Sequence, residues 1–141
     1  MTLDLSAARA LITAARSYAQ AAGFKPVTVV VLDAGGHVLA AEREDGSSNK
    51  RFEIAYAKAH GAISLGIGSR TLMERAEQQP FFVTAVTSAI GGALVPVPGG
   101  VLVRDSSGGL VGAVGVSGDT SDNDEQAAVA GVEALGLVAQ L

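Results

Sequence analysis

The run Gly109 to Asp119, Gly-Leu-Val-Gly-Ala-Val-Gly-Val-Ser-Gly-Asp, constrains the fold more than any other stretch. Strand-forming Leu and Val alternate here with Gly and Ala, which predicts a strand. One face of it carries Leu110, Gly112, Val114 and Val116, and the other Val111, Ala113, Gly115 and Ser117. Glycine weakens a strand interior, so its repeated use implies close approach to the backbone. The candidates are a packed helix, a second subunit and a ligand.

Elements on either side supply helices. Ala8, Leu11, Ile12, Ala15, Ala19 and Ala22 recur at helical spacing, with Thr2 or Asp4 as cap and Gly23 and Pro26 as stop. Val27 to Leu32 is a β-branched run and predicts a buried strand. Asp33-Ala34-Gly35-Gly36 turns the chain into a second strand, His37 to Arg43. After a polar loop, Ser48 or Asn49 is expected to cap a helix over Lys50 to Leu65, with an apolar stripe of Phe52, Ala55, Tyr56, Ala59, Ala62 and Ile63. A short helix over Arg70 to Gln78 follows, capped by Ser69 and ended by Pro80. Phe81 to Ile90 fits a strand by its β-branched residues and a helix by its length. Val101 to Arg104 and Leu110 to Ser117 form a second hairpin. Ser121 or Asp122 is expected to cap a last helix reaching about Gln140. Strands thus come in adjacent pairs between helices. This order predicts an α+β fold, an α/β sandwich with helices packed on an antiparallel sheet. One domain spanning residues 1–141 is expected.

Composition narrows the partners. Net charge is −4 and no basic stripe exists, so neither nucleic acid nor an anionic membrane surface is an expected partner. Hydrophobic residues make up 48% of the chain, yet no run approaches a membrane span. An apolar surplus without a span points to buried subunit contacts, hence a homo-oligomer. The absence of cysteine excludes disulfides, thiolate metal sites and a cysteine nucleophile, and fits a cytoplasmic location.

Three constellations carry chemistry. His60, beside the apolar stripe of its helix, can ligate haem iron or pack as an ordinary side chain. His37 follows a turn, and its spacing from His60 matches no zinc pattern. Arg43, Asp45 and Lys58 can meet across a loop. Arg43 and Lys58 would hold an anionic group and Asp45 would orient Arg43 or accept a proton; a solvated ion pair is the plain alternative. Gly115 to Asp119 precedes a helix and can present N–H groups to an anion, or simply pack tightly. It matches neither the phosphate-loop nor the dinucleotide pattern, and Ser117 has no evident base.

The chain resembles the GlcG/HbpS family, which includes the C-terminal domain of PduO-type proteins. The matching motifs are Leu3-Asp4-Leu5, Val31-Leu32-Asp33-Ala34-Gly35-Gly36, Arg43-Glu44-Asp45-Gly46, Ala55-Tyr56-Ala57-Lys58-Ala59, Gly99-Gly100-Val101, and Gly112 to Gly118 with Asp124 following. The resemblance implies a profilin-like sandwich, homo-oligomers and, in some relatives, binding or degradation of haem. Carried onto this sequence, it marks Asp33, Arg43, Asp45, Lys58, Ser117 and Gly118 as ligand-pocket residues. His60 stands outside the motifs, in a His60-Gly61-Ala62 segment where relatives often carry Thr-Ala after a variable residue. Three functions follow as expectations. The first is an oligomeric small-molecule-binding protein, with haem as the leading ligand. The second is an enzyme on a small organic acid, with Lys58 or Asp45 moving a proton and Arg43 anchoring a carboxylate. The third is an assembly module without ligand.

Overall fold

The structure is a computed structural model that describes residues 2–141. Helix α1 (Leu5–Ala21) starts at Asp4, whose Oδ1 accepts the Ala7 N–H at 2.8 Å. Strands β1 (Thr28–Asp33) and β2 (Val38–Arg43) form the first hairpin. Three helices follow: α2 (Arg51–Leu65), α3 (Ser69–Gln78) and α4 (Pro80–Ala89). Strands β3 (Gly100–Arg104) and β4 (Leu110–Ser117) make the second hairpin, before α5 (Ser121–Ala134) and β5 (Val138–Gln140). The sheet runs β2-β1-β4-β3-β5, and every neighbouring pair is antiparallel. This is the expected α+β sandwich.

The two sheet faces are covered differently. Val29, Val31, Val101, Val103, Val114 and Val116 bury against Leu11 and Ile12 of α1 and Ala127, Ala128 and Val132 of α5. On the opposite face Val30, Leu32, Leu102 and Ala113 pack against Ala55, Ala59 and Ala62 of α2. A third cluster, Leu72, Val83 and Leu94, holds α3 and α4 together beside the sandwich.

The glycines of β4 are explained by α2. Gly115 and Gly100 are cross-strand partners, and both face that helix. A Cβ on Gly115 would overlap the carbonyl oxygen of Ala55, and one on Gly100 would overlap that of Lys58. Two opposed glycines therefore form a saddle into which one turn of α2 backbone settles. Close approach here is by a helix of the same chain.

One open reading is resolved and four local expectations are corrected. Phe81 to Ile90 is helical: Pro80 opens α4 at the first turn, where its missing N–H costs nothing. The last helix stops at Ala134, because Gly136 turns left-handed at φ 72° and the chain then pairs with β3 as β5. Thr120, one residue before the expected cap, accepts the Asn123 N–H. Neither Ser48 nor Asn49 caps α2, and the Ser69 hydroxyl bonds Gly100 on both its N–H and its carbonyl.

Candidate functional site

The end of β4 and the start of α5 form a closed polar knot. Lys58 and Asp124 have side chains only 2% and 1% exposed, with Nζ 3.2 Å from Oδ2. Lys58 also donates to the Val116 carbonyl at 2.9 Å. Asp124 accepts the Gly118 N–H at 3.3 Å and the Asp119 N–H at 2.9 Å. One carboxylate thereby fixes the Gly118–Asp119 turn, caps the helix approach and neutralises a buried cation. Burial pushes the Lys58 ammonium below the ordinary lysine range, the Asp124 charge opposes that shift, and Arg51 adds a smaller lowering. Gly99 is required beside it: a Cβ there would lie 2.7 Å from Lys58 Nζ and 2.7 Å from the Val116 oxygen.

Ser117 lies next to this knot, fully buried, and accepts from Arg51 Nη1 at 3.0 Å. Among the described residues no imidazole or carboxylate bonds it, so nothing activates it as a nucleophile. Of the site residues, Arg51 escaped sequence reasoning, and Asp124 stood there only within a family motif, with no role assigned. A signal for Arg51 existed: a cation in the first turn of a helix opposes the dipole.

The other expected residues disperse. Arg43 is exposed and donates to the Ser47 carbonyl. Asp45 is exposed and lines a shallow cleft with Arg16, Gln20 and Glu44, sharing none with Lys58. Asp33 belongs to the β1–β2 turn: Oδ1 accepts the Gly35 and His37 N–H groups at 2.9 Å each. Those bonds, that of His37 foremost, hold its carboxyl below the usual range. Asp33 lines a cleft with Leu3, His37 and Leu110, whereas Ser117 pairs with the far end of β1.

His60 stands on the outer flank of α2. Its Nδ1 is 2.8 Å from the Ala93 carbonyl oxygen. A carbonyl only accepts, so Nδ1 carries a proton, and in the neutral ring Nε2 keeps its lone pair. The ring stacks on Tyr56 at 5.2 Å, and Tyr56 stacks on Phe52 at 6.2 Å. This aromatic ladder flanks a bare strip of sheet. Thr28, Val30 and Leu32 pair with Arg43, Ala41 and Val38, and cross-strand partners share a face. Val30 and Leu32 face α2, so Val38, Ala41 and Arg43 do too. These three are exposed, as is Phe52. The β2 surface on this side of the sheet is thus open to solvent, with Arg43 at one end. Among the described residues no group of three potential metal ligands exists, and no helix is long and apolar enough to cross a membrane.

Residues 3–133 match the family model described as haem degrading protein, HbpS-like. Among solved structures, a PduOC–heme complex is 25% identical, covers 100% of both chains and gives a TM-score of 0.87. HbpS from Streptomyces reticuli, solved as a double mutant, is 33% identical over 96% of this chain and 88% of its own, with a TM-score of 0.81. Protein ORFY of Klebsiella pneumoniae is 26% identical over 94% and 89%, with a TM-score of 0.82. No curated protein sequence matches.

Proposed function

The chain belongs to the HbpS-like family, and we propose that it is an oligomeric, cytoplasmic small-molecule-binding protein whose ligand is haem. The observation that carries this reading is the His60 imidazole. Its Nδ1 proton is held by the Ala93 carbonyl, which leaves Nε2 as a lone-pair donor beside the half-buried Tyr56 ring. Metal-ligating histidines are oriented in this way by a backbone acceptor on the other nitrogen.

The residues present fit a porphyrin. The Phe52–Tyr56–His60 ladder supplies a flat apolar wall, Val38 and Ala41 a second one, and Arg43 a cation for a propionate. Haem, when bound, supplies an iron centre open to small ligands. Lys58 does not meet the anionic group in this scheme. Its charge is answered by Asp124, and its part is to hold the Val116–Asp119 backbone in place. Ser117 and Gly118 lie with it at the end of β4, and Asp33 stays in the β1–β2 turn, so none of the three meets the porphyrin in this scheme. Bare apolar surface on Phe52 and Val38 is also where a second subunit would pack.

Titration of the haem-free protein with hemin tests this. A saturable Soret shift is expected, and His60→Ala should change the band position by removing an axial ligand. Arg43→Ala should weaken binding and keep the band position. No Soret shift in wild type, or a spectrum unchanged in His60→Ala, refutes the iron-ligand role. Sedimentation of haem-free and loaded protein reads the subunit number.

A further inference from the structure

Around the N-terminus of α2 the protein leaves hydroxyl groups unanswered. The Thr28 and Ser47 hydroxyls are buried, with residue exposures of 0% and 6%, and neither has a hydrogen-bond partner among the described residues. An unpaired buried hydroxyl is destabilising, and native proteins keep few of them. Both lie at one end of the sheet. Thr28 sits in a cross-strand row between Arg43 and Ser117, and the Arg43 guanidinium donates to the Ser47 carbonyl.

Ser47 lines a cleft of about 180 Å³ together with Lys25, Ser48, Arg51 and Gly118. Arg51 is anchored there by Nε on Ser48 at 2.9 Å and by Nη1 on Ser117 at 3.0 Å, which leaves Nη2 without a partner among the described residues. The guanidinium is thus oriented and one edge of it is unused. Among the described residues no N-cap side chain closes α2, and the one acidic group of its first turn, Glu53, is held by its own backbone N–H and by Lys50. Of the acidic groups nearby, Asp45 opens on the neighbouring cleft with Arg16, and three others have partners. Glu53 pairs with Lys50 at 3.3 Å, Asp124 with Lys58, and Asp119 accepts the Lys25 N–H at 2.8 Å. The cleft therefore offers two cations and one buried hydroxyl donor, and no carboxylate is among its described lining residues.

We propose that this cleft binds a small oxyanion, a phosphate or the carboxylate of a short organic acid, through Arg51, Lys25 and the Ser47 hydroxyl. An oxyanion has several acceptor oxygens and can take the Arg51 edge and the serine proton together. His60 stands about two and a half turns further along α2 than Arg51, so this site is separate from the proposed haem site.

The test uses the full chain without haem. Thermal shift and calorimetric titration are run with sodium phosphate, acetate and succinate at constant ionic strength, against sodium chloride. Saturable stabilisation by phosphate assigns the phosphate class, and by acetate or succinate the carboxylate class. Ser47→Ala should bind that anion about tenfold more weakly, the loss of one charge-assisted hydrogen bond. Without anion the same variant should melt at the wild-type temperature or above, because it removes an unsatisfied group. Arg51→Gln should abolish the stabilisation. If all three anions behave as chloride, the proposal falls. It falls equally if Ser47→Ala keeps wild-type affinity, or melts lower without anion, since the hydroxyl would then be answered inside the protein.

Discussion

Replacing Lys58 by Met keeps the length and volume of the side chain and removes its charge. Asp124, 1% exposed, would then keep two backbone N–H donors and lose its counter-ion. A buried ion left without its partner costs roughly 3–5 kcal/mol. For a chain of 141 residues each kcal/mol moves Tm by a few degrees, so a drop of roughly 10–20 °C is expected. Asp124→Asn keeps an acceptor for the Gly118–Asp119 turn, and leaves Lys58 as the unpaired charge. In the double variant Lys58→Met with Asp124→Asn, neither charge is stranded. It should therefore be more stable than the sum of the single losses, by about 2–3 kcal/mol of coupling. Urea unfolding of the four proteins at one protomer concentration measures this, the concentration being fixed because assembly would shift the midpoints. A coupling energy below about 0.5 kcal/mol would show that the two charges are solvated independently, and the closed knot would be wrong.

Two further outcomes follow from the same region. Gly115→Ala drives a Cβ into the Ala55 carbonyl, a backbone atom that can yield only if α2 lifts. It should cost about 1–3 kcal/mol or more in urea unfolding, and a wild-type midpoint would refute the glycine saddle. The stability profile above neutral pH should carry the signature of Lys58. Its pKa is lowered in the folded state from the ordinary 10.5. Between the two values the unfolded chain binds more protons, so unfolding free energy should rise with pH across that window. The Lys58 share of this slope should vanish in Lys58→Met, and equal slopes in the two proteins would contradict the assignment.

Local chemistry made most of the fold legible. Asp4, the two Gly-bearing turns and the alanine stripe of α1 act within a few residues, so pattern alone places them. What escaped depends on contacts distant in the chain. Val138 to Gln140 carries no strand signal of its own and is extended because β3 offers an unpaired edge. Phe81 to Ile90 has strand-like composition, yet its apolar residues fit the third cluster only as a helix. The site shows the same division. Lys58 could be singled out, but its partner Asp124 lies 66 residues away, and Arg51 and Ser117 are equally remote from each other. Asp45 and Lys58, close in sequence, belong to different surfaces.

Helix α2 joins these observations. The opposed glycines lower its backbone onto β3 and β4, so the Lys58 stem, on the buried side, reaches the end of β4 and no further. Had β4 carried side chains at those positions, the helix would stand higher and the ammonium would fall short of Asp124. The same seating sets Arg51 against Ser117 at one end of the helix. At the outer flank it leaves Tyr56 and His60 beside the bare strip of β2. The glycine-rich strand therefore need not touch a ligand to matter for one. It fixes the height of α2, and that height positions both the cationic cleft at the helix N-terminus and the imidazole beyond its middle. Gly115→Ala should accordingly weaken hemin binding as well as stability, even though Gly115 lies under the helix and His60 on its far side.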